Sequence, residues 1–202
     1  MHRPLSSLVT GMAIGGAWAF LTLSVVAGST IDGKSWLDQP LANWNRPGAS
    51  LPKPPAARES LPDLLKRCQW TPRRSTAAER ALTDAGWIPT LYMDRQIVRG
   101  DLEIISGARE ADSQCQPATF NMFVFLGGRF VGTLSPQLMT SRRDGSPGAV
   151  RILANDVITA EFVRFRDRDP ECCPSSHMAV RFQVDRTSSV PSIAPVDVRT
   201  TR

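Results

Sequence analysis

The spacing of apolar residues changes along this chain, and each change predicts a different kind of element. From Leu8 to Gly28 no charged residue interrupts the run. That is long enough to span a hydrocarbon core, for which about 20 apolar residues suffice. Gly11, Gly15, Gly16, Thr10, Thr22 and Ser24 dilute it. The run predicts an apolar N-terminal helix over residues 1–28, either a transmembrane anchor or a signal peptide with Val26-Ala27-Gly28 as a small-residue cleavage site. In both readings His2 and Arg3 stay inside and the rest of the chain is exported.

Residues 29–59 lose all periodicity. Pro40, Pro47, Pro52, Pro54 and Pro55 fix φ and remove backbone donors, which predicts a stiff linker. Trp36 and Trp44 interrupt it. Trp36 is read either as an interfacial anchor or, with Trp44, as packing onto the folded domain. From Ser60 helical signals take over. Ser60 caps a short helix to Arg67, and Thr76 with Glu79 has capping-box spacing before a helix that Gly86 stops.

Beyond Gly86 the period becomes two. A strand is expected around Leu102 to Ser106, and runs from Phe120 to Leu126 and from Arg129 to Ser135 flank Gly127-Gly128, a primed two-residue turn. Phe120, Met122 and Val124 lie on one face of the first run, and Phe123 and Phe125 on the other. A strand apolar on both faces is predicted to be central, with a helix over its second face. A second hairpin is expected from Val150 to Phe165 around Asn155-Asp156, and Met178, Val180, Phe182 and Val184 alternate with polar or small residues as a half-buried strand. The fold class read from this pattern is α+β, an antiparallel sheet of about five or six strands with a small helical cap. The folded domain is placed at residues 60–187, and residues 188–202 are expected to be a frayed tail.

Composition changes this picture little. The chain has 202 residues, 42% of them apolar, and a net charge of +5. Arg142, Arg143, Arg164, Arg166 and Arg168 are interleaved with Asp144, Asp167, Asp169 and Glu171. That mixture reads as a solvated surface, whereas a nucleic-acid binder concentrates its cations. No nucleic-acid partner is expected.

The cysteines change it more. Cys68, Cys115, Cys172 and Cys173 are an even set behind an apolar leader, which points to disulfides in an oxidising compartment. In an extended segment neighbouring side chains face opposite ways. With Pro174 favouring extension at Cys173, the adjacent pair is expected to reach two separate partners among Cys68 and Cys115, with the connectivity open. The alternatives are a vicinal disulfide switch and a metal site formed by Cys172, Cys173 and His177. Adjacent cysteines chelate one ion awkwardly, and no cofactor or metal is expected.

Candidate catalytic groups are sparse. Ser175, Ser176 and His177 offer a hydroxyl and a base, but sequence neighbours seldom make a working pair. Glu110 with Asp112, and Asp167 with Asp169, read as surface acids among arginines. No catalytic residue is assigned. The polar loop at residues 137–148 joins the two hairpins, and loops on a rigid sheet commonly carry recognition. Met139, Arg142, Arg143 and Asp144 are its partner-contact candidates.

Several stretches together carry a resemblance. They run from Phe123 through Gly127-Gly128 to Pro136, from Met139 to Gly145, from Ala160 to Phe165, and through Asp169-Pro170-Glu171-Cys172-Cys173-Pro174-Ser175. In these the chain resembles the LppP/LprE family of bacterial envelope proteins, and the stretch from Trp36 to Gly48 is similar to the leader of cyanobacterial members. The resemblance implies export to the periplasm or thylakoid lumen. The family's founding members are lipoproteins, but no cysteine follows the apolar segment here, so that segment is the expected substitute for a lipid anchor.

The expected function is a non-catalytic envelope or lumenal module that binds or assembles with a protein partner and touches the membrane through residues 8–28. A second hypothesis is an accessory single-span subunit of a membrane complex, in which Gly11, Gly15 and Gly16 let helices approach closely. A hydrolase using Ser175 or His177 ranks third.

Overall fold

A computed structural model describes residues 35–91, 96–141, 143–166, 168–170 and 172–201. The apolar segment of residues 8–28 and its two readings lie outside the described residues. Among those that are described, no helix is long and apolar enough to cross a membrane.

The helices form where the caps require. Helix α1 (Leu61–Cys68) starts at Ser60, whose hydroxyl accepts from the Asp63 amide, and ends at Gln69 in the left-handed region. Helix α2 (Ala77–Asp84) has the full capping box: the Thr76 hydroxyl accepts from the Glu79 amide, and the Glu79 carboxylate accepts from the Thr76 amide. Two donors at one helix end are thereby satisfied by two side chains three positions apart.

Among the described residues nine strands follow, all paired antiparallel. The first sheet holds β1 (Ile88–Thr90), β2 (Ile97–Arg99), β3 (Leu102–Ala111), β4 (Pro117–Leu126) and β5 (Arg129–Thr133). Here β1 and β2 sit end to end along one edge of β3, and β4 lies between β3 and β5. Gly127 and Gly128 take φ of +55° and +77° between β4 and β5, the primed turn that their sequence predicts. The second sheet is a meander of β6 (Pro147–Ala154), β7 (Val157–Arg164), β8 (Ser176–Asp185) and β9 (Ser192–Thr201).

Period two decides which residues meet. Leu102 and Ile104 of β3 and Phe120, Met122 and Val124 of β4 face Ile158, Ala160 and Phe162 of β7 and Val180, Phe182 and Val184 of β8 in one core. The opposite face of the first sheet presents Ile105, Phe123 and Phe125 to Ala78 and Leu82 of α2 and to Trp87. Strand β4 is therefore apolar on both faces because it is sandwiched between a sheet and a helix. Gly107 of β3 belongs to this second face. A Cβ there would lie 2.7 Å from the Phe123 ring, so only glycine admits the ring.

Three expectations are corrected. The sheet of five or six strands is two sheets facing each other, because alternation fixes which face of a strand is buried but not which strand it pairs with. The frayed tail after Thr187 is strand β9, with Ile193 fully buried and paired to Val184. Its outward residues, Val196, Asp197 and Arg199, are mostly polar because β9 is an edge strand, and Pro195 sits at a register shift.

The proline-rich linker is also a packed strap. A 3-10 turn at Trp36–Asp38 buries Leu37. Trp36 meets Trp44 and Phe162 edge-on at 5.1 Å, and Trp44 meets Phe182 at 6.0 Å. Asn45 then behaves as an extra strand residue for β5. Its Nδ2 donates to the Thr133 carbonyl at 3.0 Å, and its Oδ1 accepts from the Thr133 amide at 2.8 Å. Further on, the Pro52 carbonyl accepts from Trp87 Nε1 at 2.7 Å on the helical side.

Candidate functional site

The cysteines pair as Cys68–Cys115 and Cys172–Cys173. Two staples from the adjacent pair to distant partners, the expected arrangement, are thus overturned. The cause is the shape of the loop at 165–175. The Asp169 carboxylate gathers the Arg166 amide at 2.8 Å, the Ser175 amide at 2.9 Å and the Ser175 hydroxyl at 2.8 Å. The Cys173 amide donates to the Pro170 carbonyl. A segment curled around one carboxylate is not extended, so the alternation of side chains does not apply. The Arg166 and Ser175 amides also hold the Asp169 carboxyl below its ordinary value. Cys172 and Cys173 are bonded to each other, so their sulfurs are not thiolates beside His177. Ser175 gives its hydroxyl to Asp169, while His177 stands on the outer face of β8, opposite Val163 and Thr201.

The loop at 137–148 divides among different roles. Met139 is buried and exchanges two backbone hydrogen bonds with Phe120, so it belongs to the core. Asp144 accepts from Arg164 Nε and the Phe165 amide, both at 2.9 Å. Arg164 also grips Asp38 at 2.9 Å, so this carboxylate helps clasp the strap to the second sheet. Arg143 is exposed and remains a contact candidate. Arg142 lies outside the described residues.

A concave site lies elsewhere, beside the Cys68–Cys115 bond. Cys115 takes φ of +58° in the β3–β4 turn, where Asp112 Oδ1 accepts from the Gln114 and Gln116 amides. The disulfide ties that turn to the last residue of α1, with the two Cα atoms 5.4 Å apart. Between them opens a cavity of about 270 Å³, walled by Arg58, Glu59 and Leu64 on one side and by Arg109 to Asp112 and Ala118 on the other.

Register explains how Arg109 reaches it. Ala108 pairs with Phe120 and Glu110 with Thr119, so Arg109 is the extra residue of a β-bulge. Bulges redirect a side chain and recur beside functional sites. Its Nη1 is buried and has no hydrogen-bond partner among the described residues.

The acids around it are all engaged. Glu59 accepts from Arg67 Nη2 at 2.8 Å, a bond that holds the Glu59 carboxyl below its ordinary value. Glu110 accepts from the Arg58 amide at 3.1 Å and the Thr119 hydroxyl at 3.0 Å. Arg67 adds a bond to the Asp112 carbonyl at 3.1 Å. Sequence reasoning treated Glu110 and Asp112 as surface acids and passed over Arg58 and Arg109. The only signal for Arg109 was a cation just after an apolar strand, and the bulge that aims it has no sequence signature.

Residues 100–187 match the model of the LppP/LprE lipoprotein family, a stretch that runs from just before β3 to just after β8. No curated protein and no solved structure matches the chain.

Proposed function

Because this chain belongs, through residues 100–187, to the LppP/LprE lipoprotein family, an envelope-associated group, we propose that it is an exported, non-catalytic binding or assembly module. Its domain works in the periplasm or the thylakoid lumen, held at the membrane by residues 8–28 or freed by cleavage after them. The observation that carries this reading is the Cys68–Cys115 disulfide inside a chain of that family. A bond joining residues 47 apart between helix and sheet supports maturation in an oxidising compartment.

The reactive side chains that sequence offered have structural engagements, Ser175 with Asp169 and Cys172 with Cys173. That favours recognition over turnover. Arg143 and Leu138, both exposed on the inter-sheet loop, are the proposed partner contacts.

Protease shaving of intact cells, osmotically opened cells and isolated membranes, combined with non-reducing mass spectrometry, tests the reading. The domain is expected to become cleavable only when the envelope or lumen is opened, with both cysteine pairs oxidised. A cytosolic domain with four free thiols overturns it. N-terminal sequencing of the same material separates an uncleaved anchor from a mature start near Ser29. A photo-crosslinker at position 138 is expected to give a discrete adduct that Arg143→Glu weakens.

A further inference from the structure

We propose that the cavity between α1 and the bulged end of β3 binds a monocarboxylate with a short aliphatic tail, with Arg109 as its principal anchor and Arg58 at its mouth. This names a ligand chemistry for the binding module described above and rests on that reading for its biological setting.

A guanidinium has five N–H groups and no acceptor, and a buried donor without a partner is costly enough that native proteins rarely leave one. Arg109 Nη1 is such a donor. No nearby carboxylate meets it, because Glu59 is turned to Arg67 and Glu110 to the Arg58 amide and Thr119. Among the described residues the side chain of Arg58 likewise has no hydrogen bond or ion pair. Arg58 and Arg109 both line the cavity; the complement of two guanidinium groups is an anionic acceptor, and Arg binds a carboxylate through two parallel bonds.

Size and charge select among anions. A cavity of about 270 Å³ is roughly nine times the volume share of one water, about 30 Å³, and sits just below the usual small-molecule range of about 300–1,000 Å³. Its non-ionic lining is Leu64, Ala111 and Ala118, which suits a short alkyl group. Glu59, Glu110 and Asp112 line the same space. A doubly charged phosphate would meet three like charges there, whereas a single carboxylate has less to overcome. The walls are held in place for this task. The Cys68–Cys115 bond fixes α1 against the β3–β4 turn, and Arg67 bridges Glu59, Asp112 and the Cys115 sulfur across it. A preset cavity spares a ligand the ordering it would otherwise have to impose.

Two sources share this chemistry, a free short-chain acid and the C-terminal carboxylate of a peptide. The oxidised full-length protein is titrated by calorimetry with butyrate, N-acetyl-Ala-Ala, its C-terminal amide and inorganic phosphate. Saturable binding of butyrate, of the peptide acid or of both supports the proposal and identifies the source, with the amide at least tenfold weaker.

Arg109→Gln is expected to weaken binding at least tenfold and Arg109→Lys to restore part of it. Arg58→Gln, at an exposed position, is expected to weaken binding a few-fold and keeps the test alive if the Arg109 variants fold poorly. A second readout does not need affinity: butyrate should raise the melting temperature of the native protein and leave that of Arg109→Gln unmoved. Equal binding of acid and amide, tighter binding of phosphate, unchanged affinity in both arginine variants, or no binding at 10 mM of any probe each overturns the assignment. None of these outcomes touches the export reading, which the shaving experiment judges separately.

Discussion

The two disulfides use the same bond to opposite ends. Cys68–Cys115 closes a loop between residues 47 apart, from the end of α1 to the β3–β4 turn, and Cys172–Cys173 joins neighbours. A cross-link stabilises chiefly by removing freedom from the unfolded chain, more so for longer loops. The first bond therefore holds the fold together, whereas the second closes almost no loop. Its surroundings agree, because the loop around it is already shaped by Asp169 and its three hydrogen bonds. What organises this domain is the span of a tie along the sequence, and covalency adds to it only where the span is long.

The largest effect follows directly. Replacing both Cys68 and Cys115 by serine is expected to cost about 4 kcal/mol for a loop of this length, measured by denaturant unfolding. A loss below about 1 kcal/mol would erase the contrast between the two bonds. The same variant should lose butyrate binding out of proportion to its folded fraction, since the cavity walls are no longer tied.

The comparison sharpens if a non-covalent tie of still longer span behaves alike. Asn45 and Thr133 are 88 residues apart and share two hydrogen bonds at 3.0 and 2.8 Å, with Asn45 only 7% exposed. Asn45→Ala leaves the Thr133 amide without its partner at the edge of β5, while the Thr133 carbonyl keeps only the Trp44 Nε1 donor at 3.1 Å. A loss of about 2 kcal/mol is expected from buried donors and acceptors left unmet. Hydrogen exchange should rise at β5 more than at β4. A neutral substitution would mean that the strap's other contacts, Trp36, Trp44, Leu37 and the Asp38–Arg164 pair, carry it without Asn45.

A local tie gives the next step down. Burial would raise the Glu79 carboxyl, but the Arg73 side chain at 2.6 Å, with the Thr76 and Ser75 amides, outweighs it and holds the group below its ordinary value of 4.5. A lowered carboxyl contributes stability above the unfolded value and loses it as pH falls through the folded one. Glu79→Gln is therefore expected to cost about 1.5 kcal/mol at neutral pH. The gap to the native protein should close as pH drops below 4.5. A gap independent of pH would assign the effect to packing.

How much of this was legible in the sequence follows the same division by span. Local features read directly: the Thr76–Glu79 box, the turn at Gly127-Gly128, and the two faces of β4, whose Phe123 and Phe125 called for a helix. Features that depend on distant partners did not. Packing of Trp36 and Trp44 onto the domain was one of two readings and is the one found. But nothing near them or Asn45 in sequence says that Phe162, Phe182 and Thr133 are the partners, and the prolines made the strap read as a spacer. β9 hid because an edge strand carries polar residues outward, and Asp197 and Arg199 resemble a solvated tail. The cavity hid most completely. Arg109 is aimed by a bulge, which exists only in the register between β3 and β4, and Arg58 arrives from the end of the strap, just before α1. The cysteine pairing failed for a related reason: alternation assumes extended backbone, and one carboxylate, Asp169, curls the loop that carries both residues.

The smallest expected effect is the sharpest test of the contrast. Replacing Cys172 and Cys173 by serine should change stability by no more than about 0.5 kcal/mol, the ordinary range for exposed sites. Faster hydrogen exchange should stay confined to residues 166–175. Asp169→Asn should disturb that loop more than losing the disulfide does, because all three donors converge on Oδ2 and a neutral amide oxygen is a weaker acceptor than a carboxylate oxygen. Peptide mapping without reduction supplies the decisive control. A Cys68–Cys115 cross-linked peptide is expected, and a peptide joining Cys172 or Cys173 to either of them would restore the two-staple arrangement. A double serine variant that lost several kcal/mol would make the same point by energy, since a bond between neighbours has no loop with which to stabilise a distant part of the fold.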